Sequence, residues 1–69
     1  MTFARDVNPV RQRREELQMR LVDLARESNC HAAMISMTEG GYVPGVESRA
    51  RIADALDTTA QSLWPQEYK

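Results

Sequence analysis

Along most of the chain, apolar residues recur at intervals of three, four and seven, separated by short polar stretches. That spacing follows the 3.6-residue period of helices that bury one face. Val, Ile and aromatic residues are too sparse and scattered for strands. The pattern therefore predicts an all-α domain of five short helices.

The first helix starts at Pro9, with Asn8 as its N-cap. Proline suits the first helical position because its missing N–H would have no partner there. This helix is expected to run through VRQRREELQ, with Val10 and Leu17 on one buried face. The second reads LVDLARES, with Leu21, Leu24, Ala25 and Ser28 turned inward. It should end near Asn29, one of the few non-glycine residues that accept a left-handed backbone. The third begins at His31 or Ala32 and reads AAMISMTE, with Ile35 and Thr38 inward, and closes at Gly40-Gly41. A fourth, Val46 to Leu56, offers Val46, Ala50, Ala53 and Leu56 as its stripe, with Ile52 alongside and Glu47 in the first turn, where the helix dipole favours an acid. Thr59 caps a fifth, AQSLW, which Pro65 stops. Two helices of eight or nine residues joined by a turn of about three form a helix-turn-helix unit, here from Leu21 to Glu39. Residues 8–65 are read as this domain, 1–7 as a flexible arm and 66–69 as a tail.

Composition narrows the function classes. One cysteine excludes an intrachain disulfide and fits a reducing cytoplasm. No apolar run approaches the roughly 18 residues of a membrane span, and the first residues lack the apolar core of a signal peptide. A soluble, cytoplasmic protein is expected. The net charge is −1 and the pI about 5.7, which weighs against nucleic-acid binding, since phosphate contacts need cations. The distribution relaxes that objection. Residues 1–29 hold six arginines against five acids, whereas residues 30–69 hold three cations against five acids. With one His, one Cys and no glycine-rich phosphate loop, the chain has little from which to build an active site, and no enzyme or cofactor is expected. Cys30 beside His31 invites a metal, but four-coordinate zinc needs further ligands. No metal is expected, and Cys30 reads as a small turn or core residue.

Taken together, these residues resemble the lambda-repressor-like helix-turn-helix family (Cro/repressor, XRE-type) over about residues 10–64. Leu24-Ala25 is similar to the family's Leu-Ala pair in the second helix, Asn29 stands at its turn glycine, and Ile35-Ser36 is similar to its Ile-Ser pair in the recognition helix. Glu39-Gly40-Gly41 resembles the Glu-x-Gly that closes that helix. Pro44, Val46-Glu47, Ile52-Ala53-x-Ala55-Leu56, Thr59 and Leu63-Trp64 follow with matching spacing. The resemblance implies a compact five-helix DNA-binding domain. It implies a transcriptional regulator, such as a repressor, of phage, prophage or plasmid type. It further implies a homodimer on a palindromic operator of double-stranded DNA, with the third helix in the major groove. It also implies an ion pair between Arg14 and Glu39.

The departures from the pattern fall on DNA-facing positions. Where the family has Ser or Thr followed by Gln, to hold a phosphate, this chain has Arg20 and Leu21. At the base-facing positions it has His31, Ala32, Ala33, Ser36 and Met37. Alanine and methionine make no forked hydrogen bonds to bases but pack on thymine methyls. Specificity is therefore expected to come partly from DNA shape. His31 is either a DNA contact or the cap of the third helix. Arg11, Arg13, Arg14, Arg20 and Arg26 are either a phosphate-facing set, Arg11 and Arg20 foremost, or a solvated face balanced by Glu15, Glu16, Asp23 and Glu27. Tyr42 is either a phosphate contact or a loop aromatic folded on the core. Met34 reads as core filler; Met37 is harder to bury. Trp64 and Leu63 either complete the core or form a dimer contact with Tyr68, Trp64 being expected mainly in the core and partly at an interface. A second function class stays open: an antirepressor or modulator that binds another regulator protein through the apolar face of the third helix.

Overall fold

The computed structural model describes residues 8–68; the expected N-terminal arm lies outside them. Five α-helices follow one another: α1 (Pro9–Glu16), α2 (Leu21–Ser28), α3 (Ala32–Glu39), α4 (Val46–Ala55) and α5 (Ala60–Leu63). A 3₁₀ turn, Pro65–Glu67, comes after them, and no strand occurs among the described residues. α2 packs on both α3 and α4, α1 on α3, and α5 on α4. Val10, Leu24, Ile35, Ile52 and Leu56 are fully buried at the centre, with Ala25, Ala53, Leu63 and Trp64 around them. Each helix thus supplies at least one side chain to a single core. None of these helices is long and apolar enough to cross a membrane.

Local chemistry explains the boundaries. The Asn8 side-chain oxygen accepts the amide of Val10 at 2.8 Å, as the cap reading requires. The Asn8 side-chain nitrogen, Nδ2, donates to the carbonyl of Thr38 at 3.2 Å, tying the start of α1 to the end of α3. Thr59 caps α5 by accepting the amide of Ser62. Four helices end alike. After α1, α2, α3 and α4, an amide five residues on reaches back to a carbonyl of the last turn, as in Met19 to Arg14, Cys30 to Ala25, Tyr42 to Met37 and Thr58 to Ala53. This closure needs one residue with positive φ. Gly41 supplies it at 117°, but Gln18, Asn29 and Asp57 supply the others at 58°, 57° and 55°.

Three expectations are corrected. α1 stops two residues early, because Gln18 turns left-handed, and this leaves Leu17 as an exposed cap rather than a partner of Val10. On α4, Val46 and Ala50 face solvent. The inward stripe is Arg49, Ile52, Ala53 and Leu56, a register in which the arginine lies against the 3₁₀ turn. The chain from Gln66 to Tyr68 does not trail away. Arg49 Nη1 lies 3.4 Å from Glu67 and its guanidinium sits 5.4 Å from the centre of the Tyr68 ring.

The left-handed Gln18 makes a direct prediction. A side chain there costs about 1–2 kcal/mol relative to a relaxed backbone, and glycine relieves it at some cost in unfolded-state entropy. Gln18→Gly is expected to stabilise the domain by about 0.5–1 kcal/mol, which a thermal melt reads as a rise of several degrees. Asp57→Gly should gain less, since Asp tolerates this conformation better. A lower melting temperature for Gln18→Gly would contradict the assignment.

Candidate nucleic-acid interface

α3 divides cleanly into two faces. Ile35 and Thr38 are fully buried, and Met34 and Glu39 are half-buried beside them. The Thr38 hydroxyl, which would otherwise be a stranded donor, donates to the carbonyl of Met34 at 2.8 Å. The remaining residues, Ala32, Ala33, Ser36 and Met37, are exposed and lie one and four apart on the outer side. His31 precedes them in the N-cap position with an extended backbone, and its ring makes no capping bond, so it too points outward. All five residues predicted to face bases are thus brought to one surface. That surface carries no carboxylate, lysine or arginine. Met34, expected as core filler, is only half-buried and is not among the side chains packed on the core. Cys30, in the turn, is half-buried, with its thiol donating weakly to the carbonyl of Ser28 at 3.5 Å.

The arginines are arranged differently from a free phosphate-facing set. Among the described residues every arginine except Arg51 has a carboxylate at ion-pair distance. Arg11 pairs with Glu15 one turn along, with both side chains more than half exposed. At the start of α2, Arg20 forks onto Asp23 through two bonds of 3.1 Å, and the same carboxylate accepts the backbone amide of Arg20 at 2.8 Å. Arg26 approaches it from the other side at 3.8 Å. Asp23 therefore does for the end of α2 what a capping-box acid does. Arg20 and Arg26 nevertheless remain about three-quarters exposed. Leu21 is half-buried against the core, so only its backbone is available to a phosphate. Tyr42 is about half exposed, clear of the core.

The Arg20 cluster has a measurable consequence. Hydrogen bonds from the Arg20 side chain and backbone, with the charges of Arg20 and Arg26, hold the Asp23 carboxyl down from 3.8 to about 2. A carboxyl depressed on folding contributes stability that is complete above its unfolded pKa and lost as pH falls through the folded value. The contribution of Asp23 is thus full above about pH 4 and fades between pH 4 and 2. A carbon-detected NMR titration is expected to place its midpoint near 2, and Arg20→Ala should return it toward 3.8. A midpoint near 3.8 in the unmodified protein would remove the clamp from the account.

The expected ion pair is formed. Arg14 Nε lies 2.6 Å from one oxygen of Glu39, its Nη2 3.1 Å from the other, and its Nη1 donates to the carbonyl of Met19 at 2.8 Å. The two side chains are 12% and 9% exposed, so this fork is shielded. Hydrogen bonding to Glu39 raises the Arg14 pKa above its ordinary value. Arg13 has a role the sequence did not suggest. Its Nε donates to the carbonyl of Leu56 at 2.9 Å and its Nη2 to that of Asp57 at 3.3 Å, so it caps the negative end of α4. The only local hint was its position three after Val10; nothing in the sequence points to partners over forty residues away.

No family model, curated protein or solved structure matches the chain.

Proposed function

We propose that the domain binds double-stranded DNA as a helix-turn-helix, α2 positioning α3 in the major groove, and serves as a transcriptional regulator of phage, prophage or plasmid type. The observation that carries this reading is the split of α3. One side is anchored by Ile35 and Thr38, and the other offers five outward residues with short or slender side chains that allow close approach to base edges. Phosphates would be met at the start of α2 by the backbone of Leu21 and by Arg20, with Arg11 and Tyr42 at the margins. The ion pairs on these arginines are no barrier. Exposed pairs contribute about 0–1 kcal/mol each, less than a phosphate contact returns through counterion release. Two copies on a palindromic site would place their α3 helices about 34 Å apart.

Titrating salt against a random-sequence duplex tests this. Binding near 50 mM salt should weaken steeply by 200 mM, with a slope reporting each displaced counterion. Absence of binding at micromolar protein and 50 mM salt would sink the reading.

One observation favours a second reading, a modulator that docks on another regulator protein. The outward face of α3 is uncharged and includes Met37 at 55% exposure, a residue suited to adaptable protein contacts.

A further inference from the structure

Resting on the DNA reading, we infer that α3 selects its site by thymine methyl groups, so that the favoured half-site is marked by thymines rather than by guanines or adenines. Hydrogen-bond readout of guanine uses Arg or Lys, that of adenine Asn or Gln, and that of cytosine an acid. None of these residues stands on the outward face of α3. Its exposed groups are the methyls of Ala32 and Ala33, the thioether of Met37, the Ser36 hydroxyl and the His31 ring.

The only apolar feature that a base pair displays in the major groove is the thymine 5-methyl. Apolar side chains set against other base edges strip water from donors and acceptors without replacing it, which is unfavourable. Set against methyls, they bury apolar area at both surfaces. The strip from Ala32 to Met37 therefore attracts thymine and disfavours the alternatives. From Ala32 to Ser36 it runs about 6 Å along the axis, close to two base-pair steps. Ser36 bonds either partner of a pair and adds little discrimination.

Charge agrees with this placement. The face of α3 is neutral, as base edges are. The exposed cations Arg20, at the N-cap of α2, and Arg26, within it, stand off the α3 face and would be left for phosphates beside the groove.

The test starts from a random 24-base-pair duplex pool, selected on the full chain. In the selected duplex each thymine is then replaced singly by uracil, which removes the methyl and nothing else. At least two positions per half-site are expected to lose about fourfold in affinity, the transfer value of one buried carbon, with the salt slope unchanged. Met37→Ser, at an exposed position, should abolish the penalty at one of them without moving the melting temperature. If the selected duplex binds with a steep salt dependence but no single uracil changes affinity beyond twofold, the methyl inference is overturned while DNA binding stands. If Met37→Ser and Ala33→Ser both retain every penalty, recognition by α3 is overturned. If no duplex is retained from the pool and random DNA shows no salt-dependent binding, both the inference and the reading beneath it fail.

Discussion

Arg14→Met is expected to destabilise the domain by about 3 kcal/mol or more, enough to leave it largely unfolded at 37 °C. Removing one member of a shielded pair strands the other charge, and such changes cost about 3–5 kcal/mol. Here the stranded group is Glu39, 9% exposed and facing the end of α1. The carbonyl of Met19 loses its donor in the same step. A domain of this size has only a few kcal/mol in total, and each is worth about 4–8 °C in melting temperature. Arg13→Met is not a silent comparison, because Arg13 caps the carbonyls of Leu56 and Asp57; it should cost about 1 kcal/mol. Arg11→Met, whose partner Glu15 is exposed, should cost almost nothing. The double variant Arg14→Met, Glu39→Leu should recover much of the loss, since an apolar pair of similar volume can match a buried ion pair. Thermal and urea unfolding read all four. Equal melting temperatures for Arg14→Met and Arg11→Met would show that the pair carries no stability.

Much of the scaffold was legible because its determinants are local. Asn8 before Pro9 sets the start of α1, Asn29 accepts the left-handed end of α2, and Ile35 and Thr38 face inward three apart, so short-range chemistry and helical period locate them. The failures share a different cause. Gln18 adopts the conformation of Asn29 with no compositional sign, because the closing hydrogen bonds decide it, and at Asp57 the residue type permits that conformation without announcing it. Val46 and Ala50 look like core and are not, since the register of α4 depends on which residue meets the 3₁₀ turn, and Arg49 does. Leu17 was lost with the early end of α1. The Arg14–Glu39 fork came from resemblance to a family, whereas the two carbonyls bound by Arg13 are tertiary and had no local trace. For the candidate interface, residue types predicted the outward face of α3 well. They did not predict that Asp23 would hold Arg20 and Arg26, although an acid three residues after the cap was a readable sign.

With α3 in the major groove as proposed, Ala33→Glu is expected to reduce affinity for duplex DNA about a hundredfold or more while leaving the fold intact. Ala33 is exposed on an eight-residue helix, and both Glu and Arg are good helix formers, so neither substitution disturbs the core. In the groove a carboxylate at this position lies between two rows of phosphates, and like charges brought together at an interface cost several kcal/mol. Ala33→Arg places the opposite charge at the same point. It should keep or raise affinity for random duplex and steepen the salt dependence by about one counterion. It should also blur selection among sequences, because a forked donor favours guanine. The pair of variants separates the two functional readings. An apolar protein surface pays to bury either charge, so a modulator should lose its partner with both substitutions. A DNA-binding face should lose its ligand with one and keep it with the other. The sign of the Arg effect, measured beside unchanged melting temperatures, is thus the decisive quantity: weaker duplex binding by Ala33→Arg would remove α3 from the groove.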